Sequence, residues 1–207
     1  MMTNDTTLPK GERTRQAIID ASYRLFLDQG YSATSMRQIA EGAGVALGGI
    51  YNHFGSKDEI FQALIINKHP YMQIFPLLLR VPGDTAEEFV RNSAPLIQDE
   101  LGHHPEFMKL MFIEIVEFGG SHFPKLVERI YPQALPLLQR FSAEQSGVRS
   151  MPLPVILRTF MGSIIAFYVT GLLMNDASLP TEMRNTTLAD FLDIYLHGIL
   201  ESQKAEG

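Results

Sequence analysis

Between Ser35 and Asp58 the chain carries two helix starts on either side of a glycine-flanked stop, and this punctuation constrains the fold more than any other feature. Ser35-Met36-Arg37-Gln38 has the capping-box form, with the Ser35 hydroxyl accepting from the third helical residue and Gln38 reaching back. The helix it starts turns Met36, Ile39, Ala40 and Ala43 inward and stops at Gly42-Ala43-Gly44, where glycine supplies a left-handed residue at little steric cost. Val45 to Phe54 is a second short apolar-faced segment. Ser56 then caps a further helix, with Glu59 at the capping-box position. Upstream, Ala17, Ile18, Ala21, Leu25 and Phe26 follow i, i+3, i+4 spacing through Arg15–Asp28, and Gly30 ends that helix. Two short helices joined by a tight glycine turn make a helix-turn-helix, here spanning about residues 34–53.

The remainder contains no useful period-2 alternation and no hairpin dipeptide. Helical stretches end at Pro82-Gly83, His103-His104-Pro105, Gly119-Gly120, Gly147 to Pro154 and Ser178-Leu179-Pro180. The pattern predicts an all-α chain. Residues 11–66 are expected to form a three-helix domain with the helix-turn-helix, and residues 67–207 a larger helical domain.

Composition excludes several classes. The 207 residues contain no cysteine, so disulfide scaffolds, cysteine-ligated metals and thiol nucleophiles are ruled out. The net charge of −6 argues against coating nucleic acid through bulk positive charge. It is unevenly placed: through Ile60 six basic residues face seven acidic ones, whereas the rest holds eleven against sixteen. His103, His104 and Glu106 cluster without HExxH spacing, so no metal or cofactor is expected there. No nucleophile elbow, P-loop or dinucleotide fingerprint is present, and an enzyme is not expected. The N-terminal residues lack the apolar core of a secretion signal, which predicts a cytoplasmic protein.

Val155 to Met174 is an apolar run of twenty residues with one charge, Arg158. Its length suits a membrane span, but the internal arginine and the absence of basic flanks favour a helix buried by core and by a partner subunit. Gly162, Ser163, Ala166 and Gly171 would allow close approach of another helix. Together with a second helix over 181–203, striped by Leu188, Phe191, Leu192, Tyr195, Leu196 and Ile199, the 152–175 helix predicts a two-fold homodimer.

From Thr14 to Leu64 the chain resembles the tetracycline-repressor (TetR) family of bacterial transcription regulators. The resemblance rests on Ile18/Ala21/Leu25/Phe26, Gly30-Tyr31, Thr34-Ser35, Ile39-Ala40, Ala43-Gly44-Val45, Ile50-Tyr51, His53-Phe54 and Ser56-Lys57-Asp58. It implies a repressor that a small hydrophobic effector releases from a double-stranded DNA operator, the effector tilting the helix after Lys57. It also implies a recognition segment from Leu47 to Phe54 that includes Gly48, Gly49, Tyr51, Asn52 and His53. Arg37 would project into the same groove, where it can pair bidentately with guanine O6 and N7. Tyr51, His53 and Lys57 match family positions that hold phosphates, and the Ser35 backbone N–H can meet another.

The chain departs from the family where specificity is written. Ala46 replaces the usual capping serine, Leu47 a common lysine or glutamine, and Gly49 a common threonine. Gly48 and Gly49 together cost roughly 2 kcal/mol of helix propensity relative to alanine. Either glycine lets the backbone approach DNA closely while Leu47 packs on a thymine methyl, or the helix is frayed and folds fully only on DNA. The competing function is a helical homodimer that binds a small molecule or protein partner without reading DNA sequence.

An effector pocket is expected from Tyr71, Phe75, Met111, Glu114, Phe118 and Tyr168, with Glu114 as an acid among large apolar groups. The alternative is that Glu114 pairs structurally, with an arginine such as Arg158, or caps a helix end. Pro70 and Pro76 are expected to break or bend the chain after the helix that starts at Lys57.

Overall fold

The computed structural model describes residues 9–141 and 148–199. These form α1 (Lys10–Gln29), α2 (Met36–Gly42), α3 (Leu47–Ile50), α4 (Lys57–Lys68), α5 (Tyr71–Leu78), α6 (Ala86–Gly102), α7 (Phe107–Phe118), α8 (Phe123–Phe141), α9 (Leu153–Leu173), α10 (Thr181–Arg184) and α11 (Leu188–Ile199). They group into two compact units. One comprises the chain up to His69 with Lys109–Arg129, and the other Pro70–Met108 with the chain from Ile130 onward. The first unit thus reaches beyond residues 11–66 to take in most of α7 and the start of α8, with buried Leu110, Glu114 and Leu126, and buried His122 between the two helices.

In the first unit α1 packs on α2 and α4 through Ile18, Ile19, Ala21 and Phe26, all essentially inaccessible. Ser35 caps α2 as its sequence dictates: its hydroxyl accepts from the Gln38 N–H, and the Gln38 side chain accepts from the Ser35 N–H. Gly44 lies at φ +69°, in the left-handed turn between α2 and α3, where a side chain would be strained. Ser56 caps α4 through the Glu59 N–H, but the Glu59 carboxylate accepts from Gly55 rather than from Ser56, one residue earlier than a capping box requires.

In the second unit a single core joins Ile74 and Leu78 of α5, Phe89, Val90, Ala94 and Ile97 of α6, Ile164 of α9, and Leu188, Leu192, Tyr195 and Leu196 of α11. Pro70 separates α4 from α5, and Pro76 lies inside α5. The expected helix over 181–203 is broken: α10 ends at Arg184, and Thr187 starts α11 by accepting from the Asp190 N–H while Asp190 accepts from the Thr187 N–H and hydroxyl. That local side-chain cap outcompetes continuation through Asn185–Thr187. Residues 200–203 of the expected helix lie outside the described residues.

Helix α9 is long and apolar enough to cross a membrane. Ile164 is its only fully buried residue, and Val155, Leu157, Ile165, Leu172 and Leu173 are exposed. The core of its own unit thus covers one face of α9 and leaves the other bare.

His69, at the end of α4, is 2% exposed, and burial lowers its imidazole from the ordinary 6.5 to about 3. The folded state therefore keeps this ring neutral where the unfolded chain binds a proton. Its contribution to stability is complete above about pH 6.5 and is lost as pH falls towards 3, at up to about 1.4 kcal/mol per unit. Urea unfolding at pH 7.5 and pH 5 should show a smaller loss on acidification for His69→Gln than for the wild type. Equal losses in both proteins would remove His69 from the account.

Candidate nucleic-acid interface

The segment expected to enter the major groove is short. Helix α3 spans Leu47–Ile50, after which the chain tightens through Asn52 N–H to Gly49 O and His53 N–H to Ile50 O bonds. Ala46 provides no side-chain cap. Buried Ile50 and Phe54 anchor the segment, so Leu47, Gly48, Tyr51 and Asn52 are left on the surface. Gly49 and His53 are partly covered. The Arg15 guanidinium lies 4.8 Å from the centre of the Phe54 ring and clamps the end of the segment to α1. Ser35 and Arg37 are exposed at the start of α2.

Beside this surface lies a polar and aromatic mount. The Lys57 ammonium donates to the carbonyls of Tyr31 (2.7 Å) and Thr34 (2.6 Å) and sits 4.1 Å from the Tyr31 ring centre. Burial lowers the Lys57 amine, partly opposed by the Glu117 carboxylate. The Tyr31 phenol is raised, first by burial and then by the charges of Asp58 and Glu117. Phe118 stacks on Phe61 at 4.7 Å and meets Tyr31 edge-on at 4.6 Å. Behind it Glu114, 1% exposed, accepts from the His122 backbone N–H (2.9 Å) and pairs with His122 Nδ1 (2.7 Å). His122 Nε2 faces Asp58 of α4 at 3.3 Å. Left-handed Gly119 and Gly120, at φ +60° and +82°, reverse the chain and bring His122 back onto Glu114. Ser32 donates to Glu117 at 2.9 Å.

Comparisons with known proteins point in one direction. Residues 18–64 match the bacterial regulatory proteins of the tetR family. The HTH-type transcriptional regulator TtgW of Pseudomonas putida, itself uncharacterised, is 42% identical over 128 residues, which are 62% of this chain and 90% of TtgW. The chain belongs to the TetR family. Among solved structures, native NalD of Pseudomonas aeruginosa, the secondary repressor of the MexAB-OprM multidrug efflux pump, superposes with a TM-score of 0.65 at 24% identity and covers 94% of this chain and all of NalD. A complex of SmeT with triclosan gives 0.63 at 19%, covering 91% of this chain and 92% of that one. These likenesses establish a TetR-type fold.

Within that fold several of the expected site residues make contacts that their sequence did not indicate. Lys57, expected at a phosphate, spends two of its three donors on carbonyls of the turn before α2. Of the expected pocket residues, Glu114 is engaged by His122, and Phe118 is packed among Tyr31, Phe61 and His122. The pairing of Glu114 is with a histidine rather than with Arg158. Met111, partly buried, belongs with them to the first unit. Tyr71, Phe75 and Tyr168 belong to the second, where the Tyr71 hydroxyl meets Met161 Sδ at 3.1 Å, Phe75 packs edge-on to Tyr71, and Tyr168 donates to the Gln98 carbonyl. Three of the six expected pocket residues thus fall in each unit. His103 and His104 each face a carboxylate one turn back, Asp99 and Glu100.

His122 carries a role that sequence reasoning missed, although the Gly119-Gly120 stop between it and Glu114 was visible. Truncating Glu114 to alanine leaves the His122 imidazole and N–H without their buried acceptor and should cost about 3–5 kcal/mol in chemical denaturation. Lys57→Ala should lower stability by about 1.5–3 kcal/mol through its lost charge-assisted bonds while leaving the salt slope of DNA binding unchanged. A reduced slope with intact stability would restore Lys57 to the phosphates.

Proposed function

We propose that the chain is a homodimeric, ligand-responsive DNA-binding regulator that represses transcription in the cytoplasm. The observation that carries this reading is the recognition segment itself: Ile50 and Phe54 are buried while Leu47, Gly48, Tyr51 and Asn52 remain bare beside exposed Ser35 and Arg37. Arg37 is the base reader, with a planar fork suited to guanine. Tyr51 and His53 contact phosphates, which position the reader without reading sequence, while the Ser35 N–H is spent on the Gln38 side chain. Repression is supported by likeness to NalD, and effector binding by likeness to SmeT, whose triclosan complex has the same fold.

The bare face of α9 supports the dimer. Leu172 and Leu173 are 61% and 70% exposed, and Ile194 on α11 is 75% exposed. A second copy covers this face, and the small residues Gly162, Ser163 and Ala166 let its helices approach. The effector enters the second unit beside Tyr71, Phe75 and Tyr168, whose aromatic surfaces suit a hydrophobic molecule. A preference of about 1–3 kcal/mol for the released state lowers operator affinity about 5–150-fold.

Fluorescence anisotropy with DNA from upstream of the chain's own gene should show saturable, sequence-dependent binding. Arg37→Ala should weaken it by about 1–3 kcal/mol and relax the preference at one base pair. Equal affinity for specific and scrambled DNA would leave the helical ligand-binding dimer as the better reading. Sedimentation at micromolar concentration should give a dimer, and a Leu172→Glu/Leu173→Glu variant should run as a monomer.

A further inference from the structure

Helix α3 contains two glycines that its own unit does not require. A Cβ added at Gly48 meets nothing within 4 Å, and one added at Gly49 meets only the Val45 Cβ at 3.9 Å, an ordinary contact. Neither residue is among the glycines at positive φ. Two glycines elsewhere are held by the fold: Gly44 needs its left-handed backbone, and a Cβ at Gly83 would lie 2.8 Å from the Phe89 nitrogen. Alanine at 48 or 49 would fit and would favour a helix of only four residues that has no side-chain cap. Packing within the unit therefore does not account for the bare backbone at these two positions.

The flanking residues indicate what approaches. Leu47 and Tyr51, one helical turn apart on the same face, are 44% and 53% exposed. Leu47 offers an apolar contact and no hydrogen-bond donor, and the thymine C5-methyl is the apolar group of the major groove. We propose that Gly48 and Gly49 are specificity-determining residues: they admit base-pair edges to within contact of the α3 backbone and seat Leu47 against a thymine methyl. The operator is read there by shape and methyl contact, with Arg37 supplying the hydrogen-bond reading. The inference rests on the DNA-binding reading above and goes beyond it by naming the groups recognised.

The test uses the full-length protein and the DNA sequence it selects from a random pool. Gly48→Ala and Gly49→Ala should keep or raise the melting temperature, lower operator affinity about tenfold or more, and leave affinity for non-specific DNA unchanged. If the alanine variants bind the operator as well as or better than the wild type, the glycines serve only to fray the helix and the proposal fails. Replacing operator thymines by uracil, one at a time, should weaken wild-type binding at one position or more and leave Leu47→Ala binding unaffected there. Indifference of the wild type to every uracil would overturn the methyl contact. A wild type that selects no sequence at all overturns the DNA-binding reading, and this inference with it.

Discussion

A carboxylate held at 1% exposure cannot remain unpaired, and Glu114 organises the first unit around that requirement. Its two oxygens take the backbone N–H and the imidazole of His122. Reaching them demands the left-handed reversal at Gly119-Gly120, which turns the start of α8 back along α7. His122 in turn faces Asp58, the second residue of α4, and Phe118 inserts among Tyr31 and Phe61. Residues distant in sequence thus become part of the helix-turn-helix unit. The interactions that secure them lie just beyond the recognition segment.

This arrangement decides which groups the unit leaves on its surface. The lysine at the start of α4 points its charge into the turn before α2, where it satisfies two carbonyls. Left on the surface are Ser35 and Arg37 at the start of α2 and the short helix α3, which carries no polar side chain. Two glycines make that helix intrinsically weak; buried Ile50 and Phe54, with Arg15 over the Phe54 ring, hold it in place. Tertiary packing, rather than propensity, makes α3 a helix.

The local grammar of the chain was legible from its residues. Ser35 with Gln38, the glycine turn at Gly44, Pro70 between α4 and α5, and the bounds of α9 all follow from short-range chemistry. What escaped was long-range. Glu114 stands among Met111, Ile115 and Phe118 in sequence and reads as an acid lining an apolar pocket; only the reversal at Gly119-Gly120 reveals its partner. Lys57 carries a family motif but spends its donors on Tyr31 and Thr34, more than twenty residues earlier. The division of the chain into units was hidden for the same reason, because α7 and α8 each contribute residues to both. The cap formed by Thr187 and Asp190 is local and was readable in principle, but the apolar stripe running past it masked the break.

Both units bear on one quantity. The proposed two-fold dimer would present two copies of the recognition segment, and these would have to fall in major grooves a whole number of helical turns apart. Selection of binding sites from random double-stranded DNA by the purified full-length protein, followed by sequencing, measures this directly. An inverted repeat is predicted, its half-sites centred about 10 base pairs or a multiple of that apart. A pool that shows no enriched motif after repeated rounds, or a single unrepeated half-site bound by a monomer, would contradict the account.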